Sequence, residues 1–402
     1  MRVLNLLLAL SLACSHSVFA ADGSESLEDY ISDNKQKQFS YDYKKIEAES
    51  SKLRDSWIAP LSISYSYSVS DPYSVEQTNE SAAIKMDQPI FQSGGIYYGI
   101  KFAQASRKYS NYSVDVVKRK LVKDAISLLM QIKQTDLKID KQNLQIKNSE
   151  INLELKKEQY LNGQLDSGFL DNAVIEKNLL TQALYDIETN KERLISKFQA
   201  ISDTDYEKAK VPHMELLDEE SFLNNNIVLS MSKSEIEKNR YYKDVTTAKY
   251  LPRVSFTAGY NWNKTDSTFI FGSNEKEYYD YGIKAVMPLD INTFNDIEAS
   301  KVDYLKSALV IEDKKRELTA LFEQVMQNIK NFDKKIILSV QNKDLYEKLL
   351  LDTKSLFRAG YKTQYDIQML ENSLKIQEID MKVFEIDRQL ELLSLYEMYK
   401  ND

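Results

Sequence analysis

Four short segments of the chain alternate between apolar or aromatic residues and small polar ones. From Leu61 to Val69 every odd position is apolar or aromatic and every even one is Ser. Val254, Phe256, Ala258, Tyr260 and Trp262 alternate in the same way with Ser255, Thr257, Gly259, Asn261 and Asn263. Ile84 and Met86 alternate with Lys85 and Asp87, and Tyr279, Tyr281, Ile283, Ala285 and Met287 alternate with Asp280, Gly282 and Lys284. A period of two predicts strands, here of about ten residues each, rich in rings and with one small polar face. Elsewhere the period is helical. Leu137, Leu144 and Ile151 form one heptad series and Ile139, Ile146 and Leu153 a second, which predicts contacts on two flanks of one helix. Leu318, Leu321, Val325, Ile329, Phe332 and Ile336 recur at threes and fours.

Proline breaks a helix interior at a cost of about 3 kcal/mol, so its positions partition the chain. Pro60, Pro89, Pro252 and Pro288 flank the predicted strands, Pro72 lies in a loop and Pro212 in a link. No proline falls between 90 and 211 or after 288, which leaves both stretches free to run as helical hairpins. The expected long helices are 96–161 and 293–358, with returns over 169–200 and 364–399 and shorter helices over 26–57 and 226–249. Self-comparison pairs Ala59-Pro60-Leu61 with Leu251-Pro252-Arg253, Gln88-Pro89-Ile90 with Met287-Pro288-Leu289, and Asp171 and Leu179 with Asp366 and Leu374, at offsets of roughly 190–200 residues. The expected organisation is a first repeat over 21–200 with its β-hairpin at 61–91, a link over 201–225, and a second repeat over 226–402 with its hairpin at 253–290.

Composition agrees with long helices, since 402 residues carry only 10 Gly and 6 Pro. Cys14, His16 and His213 are the only cysteine and histidines, so thiol chemistry, His-based metal sites and Ser-His catalysis lack their parts, and no cofactor or enzyme activity is expected. A net charge of −8 offers no basic field for nucleic acid. Met1-Arg2, the apolar run Val3 to Ala13 and the small residues of Val18-Phe19-Ala20 predict a signal peptide over 1–20, cleaved after Ala20. Lipid attachment at Cys14 is the competing expectation for this segment. No later segment has the ~18–20 consecutive apolar residues of a spanning helix, so any membrane crossing falls to the strands. Ten residues at ~3.3 Å, tilted about 45°, cover roughly the 25 Å apolar band of an outer-membrane barrel. Four strands cannot close a barrel, which predicts that copies of the chain share one.

Tyr250-Leu251-Pro252-Arg253-Val254-Ser255-Phe256-Thr257-Ala258-Gly259-Tyr260, the Pro288-Leu289 step into a helix, and Gly360 followed by Asp366 and Leu374 resemble the TolC-like outer membrane efflux protein family. The resemblance implies a mainly α fold with a membrane β-barrel, internally duplicated. It also implies a homotrimer with twelve strands in one barrel above twelve helices forming a periplasmic tunnel. It places the protein in the outer membrane of a Gram-negative bacterium, as exit duct of a tripartite efflux or type I secretion system. The implied partners are a periplasmic adaptor, an inner-membrane transporter and outer membrane lipids. Asp366 matches the family's gate acid, with Lys362 as its basic neighbour and Asp171 as its counterpart in the first repeat. Met369 stands where the family has a second acid, and Phe357 where it has Tyr. Gly163 and Gly360 match the tips that receive the adaptor.

Bland alternatives stand beside these expectations. Asp366, Lys362 and Asp171 also suit solvated charges at helix starts, and Gly163 and Gly360 suit helix C-caps. Tyr65, Tyr67, Tyr260, Trp262, Tyr279 and Tyr281 suit lipid-facing or girdle anchors better than ligand binders. A non-channel periplasmic helical scaffold or adhesin-like protein is the alternative function.

Overall fold

A computed structural model describes residues 27–71, 76–267 and 270–400. The expected signal peptide over 1–20, the alternative at Cys14 and the loop proline Pro72 lie outside them. The chain begins with a 3-10 turn, Leu27–Tyr30, and then α1, Asp33–Arg54. The single helix expected over 26–57 is interrupted because the Ser32 side chain accepts a hydrogen bond from the Lys35 amide and caps α1 there. Strands β1, Ser62–Ser70, and β2, Gln77–Phe91, precede α2, Gly95–Leu161, and α3, Ser167–Gln199. The link expected over 201–225 carries a short helix α4, Glu219–Asn224, capped by Asp218 on the Ser221 amide. Then follow α5, Ile227–Lys249, β3, Arg253–Ser267, β4, Ile270–Val286, α6, Thr293–Arg358, and α7, Gln364–Tyr396.

Helix α2 has 67 residues and α6 has 66, each about 100 Å long at 1.5 Å per residue. Three of the four strands exceed the expected ten residues, reaching 15, 15 and 17. The ladder continues past the apolar positions into Glu80, Lys264 and Glu275, because backbone pairing does not require apolar side chains. Pro89 lies inside the end of β2 rather than beside it, at a register shift that accommodates its missing N–H.

The sheet is antiparallel throughout, in the order β1-β2-β3-β4. The helices follow the same order: α2 packs between α1 and α5, and α5 against α6. Farther from the sheet α3 replaces α1 and α7 replaces α5, giving the row α3-α2-α7-α6. Each strand therefore continues the line of the helix it is joined to, and all four junctions leave one end of the sheet. The row of helices and the sheet each end in free edges, α1, α3 and β1 on one side and α6 and β4 on the other.

The apolar core lies midway along the helices. Phe198, Phe222, Ile126, Leu129, Met130 and Leu392 are among its buried members, and the Phe222 ring stacks on Phe322 with centroids 5.7 Å apart. Buried Gln389 ties the link to this belt, accepting from the Met214 amide at 2.7 Å. Beyond the belt, the two predicted heptad series of α2 are only half-buried. The fully buried line on that helix is polar, formed by Thr135, Gln142 and Ser149 at seven-residue spacing. Gln142 donates to the Leu180 carbonyl of α3 at 2.8 Å, while Lys141 pairs with Asp380 of α7 at 2.6 Å and Asn372 donates to Asn148 at 2.8 Å.

Candidate functional site

Strand register sorts the side chains of the sheet into two chemically distinct faces. Ser64, Ala83, Asn261 and Tyr278 share one level of the first face, and Ile63, Ile84, Tyr260 and Tyr279 share one level of the second. By the same parity Tyr65, Tyr67, Trp262 and Tyr281 fall on the second, apolar face, so all six ring residues singled out in the sequence lie together. On β3 the polar face is the shielded one: Ser255 and Asn261 are each 7% exposed, whereas Tyr260 is 46% exposed. On β4 Tyr279, Tyr281 and Ile283 are about three-quarters exposed. Among the described residues no helix packs across either face. A soluble half-buried sheet covers its apolar side, and this one leaves that side open.

The apolar face ends in a row of carboxylates toward the hairpin turns. Tyr65 donates to Glu80 at 3.1 Å, Tyr260 to Glu277 at 2.8 Å and Trp262 to Glu275 at 2.5 Å. These acids were not singled out in the sequence, although Glu275 and Glu277 continue the alternation of Tyr279 and Tyr281. On the polar face Ser66 and Ser81 share a hydrogen bond at 2.7 Å, and Asn261 donates to Asp280 at 2.7 Å.

At the far end of the helices, α2–α3 and α6–α7 are joined by turns of matching design. Gly163 and Gly360 take positive φ, 71° and 83°. In each turn the next amide reaches back five residues, Gln164 to the Gln159 carbonyl at 2.8 Å and Tyr361 to that of Leu356 at 2.9 Å. This is a Schellman ending, which uses the left-handed region that glycine occupies without strain. Nothing approaches within 4 Å of where a Cβ would stand at either glycine, so both turns are open. The C-cap expectation is met, and the open space suits the contact expectation equally.

Asp366 and Lys362 are brought together and Asp171 is not. Thr363 caps α7 by accepting from the Asp366 amide, and the Asp366 carboxylate accepts from the Thr363 amide at 2.8 Å, closing a capping box. The Lys362 ammonium stands 3.4 Å from the same carboxylate. The Thr363 backbone amide, and after it the Thr363 hydroxyl and Lys362, hold the Asp366 carboxyl below the ordinary aspartate range. In α3 the corresponding N-cap is Asp166, which accepts from the Gly168 amide at 2.9 Å. Aligned through Gly163 and Gly360, the counterpart of Asp366 is Phe169, and Asp171 lies two positions further along the helix. The pairing of Asp171 with Asp366 carries a two-residue offset already present in the sequence, where the first turn runs longer from its glycine to its Asp than the second. Lys362 contacts Asp366 of its own turn and not Asp171.

Among the described residues no group of three His, Cys, Asp or Glu is placed to hold a metal ion. No helix among them is long and apolar enough to cross a membrane. A cavity of about 410 Å³ opens at the belt, but its charges are already engaged, Lys118 with Glu28, Lys123 with Glu397 and Arg119 with the Tyr399 carbonyl.

A row of long helices continued strand by strand into an uncovered antiparallel sheet defines a helix-and-sheet fold class. Residues 220–398 match the family model described as Outer membrane efflux protein. The outer membrane protein VceC of Vibrio cholerae is similar over 93% of this chain and 95% of its own, with 12% identity and a TM-score of 0.73. The CmeC outer membrane channel of Campylobacter jejuni is similar over 94% and 86%, with 11% identity and a TM-score of 0.71. The MtrE outer membrane channel of Neisseria gonorrhoeae, in its open state, covers 92% and 87%, with 11% identity and a TM-score of 0.62. No curated protein matches the chain. The chain thus resembles the TolC-like outer membrane efflux protein family in sequence pattern over its second half and in fold over nearly its whole length.

Proposed function

We propose that three copies of this chain close edge to edge into a duct in the outer membrane of a Gram-negative bacterium. The observation that carries this reading is the uncovered sheet, with its apolar face exposed, the polar face of β3 the more shielded, and free edges at β1 and β4. Pairing β4 of one copy with β1 of the next satisfies both rows of unpaired backbone groups. The same head-to-tail operation sets α6 beside α1 and α3, as a closed ring requires. Copies of four strands then share one twelve-stranded barrel, its apolar face toward lipid and its polar face toward water. Tyr65, Tyr67, Tyr260, Trp262, Tyr279 and Tyr281 anchor it in the bilayer. The repeated order of elements, α1-β1-β2-α2-α3 and α5-β3-β4-α6-α7, fits a duplicated ancestor.

In this duct the helices form a periplasmic tunnel, and the turns at Gly163 and Gly360 receive a periplasmic adaptor that couples it to an inner-membrane transporter. Asp366 and Lys362 sit at that entrance and set the charge of the gate, with Asp171 on α3 adding a separate acid near the start of its helix. The duct itself performs no covalent chemistry and binds no nucleic acid. Outer-membrane fractionation together with single-channel recording of the purified protein tests the reading. A protein that fractionates with the soluble periplasm and conducts nothing is instead the helical scaffold.

A further inference from the structure

The chain as a whole is acidic, with a net charge of −8, yet the polar face of its sheet has the opposite sign. By register that face carries Lys85, Arg253, Lys276 and Lys284 against Asp87 and Asp280, two more cations than carboxylates. The acids gather on the other face, where Glu80, Glu275 and Glu277 are taken up by Tyr and Trp donors. None of the four cations is held in an ion pair among the described residues. Asp280 shares the level of Gly259 and Lys85, and its carboxylate leans over Gly259, accepting from the Asn261 amide and lying 2.8 Å from where a Cβ on Gly259 would stand. Gly259 is thus the position that lets Asp280 lie flat along the strand between itself and Asn261.

The four cations are also spaced along the whole sheet. Measured on β3, Arg253 begins the strand, Lys284 lies opposite Ser255, Lys85 opposite Gly259 and Lys276 opposite Asn263. At about 3.3 Å per residue the successive steps are roughly 7, 13 and 13 Å. The first step lies within the screening length of about 8–10 Å in physiological salt and the other two exceed it, so overlap of the neighbouring fields depends on confinement. In a narrow passage with low-dielectric walls such fields are focused rather than dissipated.

The geometry points to an anion-selecting track of Arg253, Lys284, Lys85 and Lys276 on the sheet's polar face, which favours passage of small organic anions bearing carboxylate, sulfate or phosphate groups. This rests on the duct reading above, in which that face lines the water-filled interior. The track lies at the opposite end of the molecule from Asp366, so the duct carries two charge zones of opposite sign in series.

The test is the reversal potential of single channels of the full-length protein under a KCl gradient. In the double variant Lys85→Gln with Lys284→Gln, the reversal potential is expected to move toward the potassium equilibrium potential, with a several-fold fall in chloride over potassium permeability. To separate selectivity from assembly, Lys85→Cys is modified after insertion; the chain's one cysteine, Cys14, precedes the expected cleavage site. A sulfonate thiosulfonate reagent should deepen the shift, and a trimethylammonium reagent should restore the original value. Open channels whose reversal potential is the same in the double variant and unmoved by either reagent overturn the track and leave the duct standing. Absence of any conductance from the unmodified protein overturns the duct, and the track with it.

Discussion

The belt and the distal hairpins are built from the same helices but held by different forces. In the belt, α2, α3, α6 and α7 bury Ile126, Leu129, Phe198, Phe322 and Leu392, and each such side chain contributes about 1.5–3 kcal/mol by leaving water. Toward the turns, the buried positions of α2 and α6 become Gln142, Ser149, Ser339 and Thr353. Ion pairs there bridge α2 to α3 and α6 to α7, such as Lys177–Glu150, Lys343–Glu378 and Lys354–Glu371. These pairs are solvent-exposed and worth about 0–1 kcal/mol each, and water can replace either partner. One chain thus combines a clamp that resists rearrangement with hairpins whose contacts exchange at small cost. In the proposed duct, that division would let one end open while the assembly holds.

The comparison breaks most sharply in the belt. Phe222→Ala, which removes a fully buried ring and its stack on Phe322, should cost about 3–5 kcal/mol. Urea unfolding of the assembled protein should show the loss, and an effect near zero would mean that the belt is not the clamp. Next in size, Ile63→Arg or Tyr260→Arg on the apolar face of the sheet should cost about 2–4 kcal/mol and reduce assembly into the outer membrane. Ser64→Arg and Thr257→Arg on the polar face should be milder, and equal tolerance of both pairs would argue against a lipid-facing side. Gln389→Ala should cost about 1–3 kcal/mol by leaving the Met214 amide without its buried acceptor, and protease should then cut the link near residues 203–217 faster.

The distal hairpins should respond weakly to the same kind of test. Lys354→Met should change stability by about 0–1 kcal/mol while raising hydrogen exchange locally in α6. The smallest effect belongs to Asp366. Its pKa in the folded chain is depressed, so its stabilisation is present above the ordinary aspartate value of about 4 and is lost as pH falls through the lower folded value. Amide exchange in the first turn of α7 should rise over that acidic window in the parent and stay flat in Asp366→Asn. The same substitution should lower cation preference at the entrance.

The sequence determined much of this by periodicity. Alternation in Leu61–Val69 and Val254–Trp262 located strands because side chains on a pleated ladder must alternate, whatever the ladder pairs with. The proline-free stretches located α2 and α6 nearly to the residue, because a missing N–H cannot be hidden inside a helix. Motif order from Tyr250 to Leu374 carried the family likeness. Only the tertiary structure showed that Thr135, Gln142 and Ser149, rather than the apolar heptads beside them, fill the buried line of α2, since burial depends on neighbours that no local period records. It also showed that Asp166 and Thr363 cap α3 and α7, which sets Phe169 at the level of Asp366. The segregation of charge on the sheet was equally hidden. Lys85 and Lys284 are about two hundred residues apart in the chain, and the pairing of β2 and β4 to the two sides of β3 places them on one face.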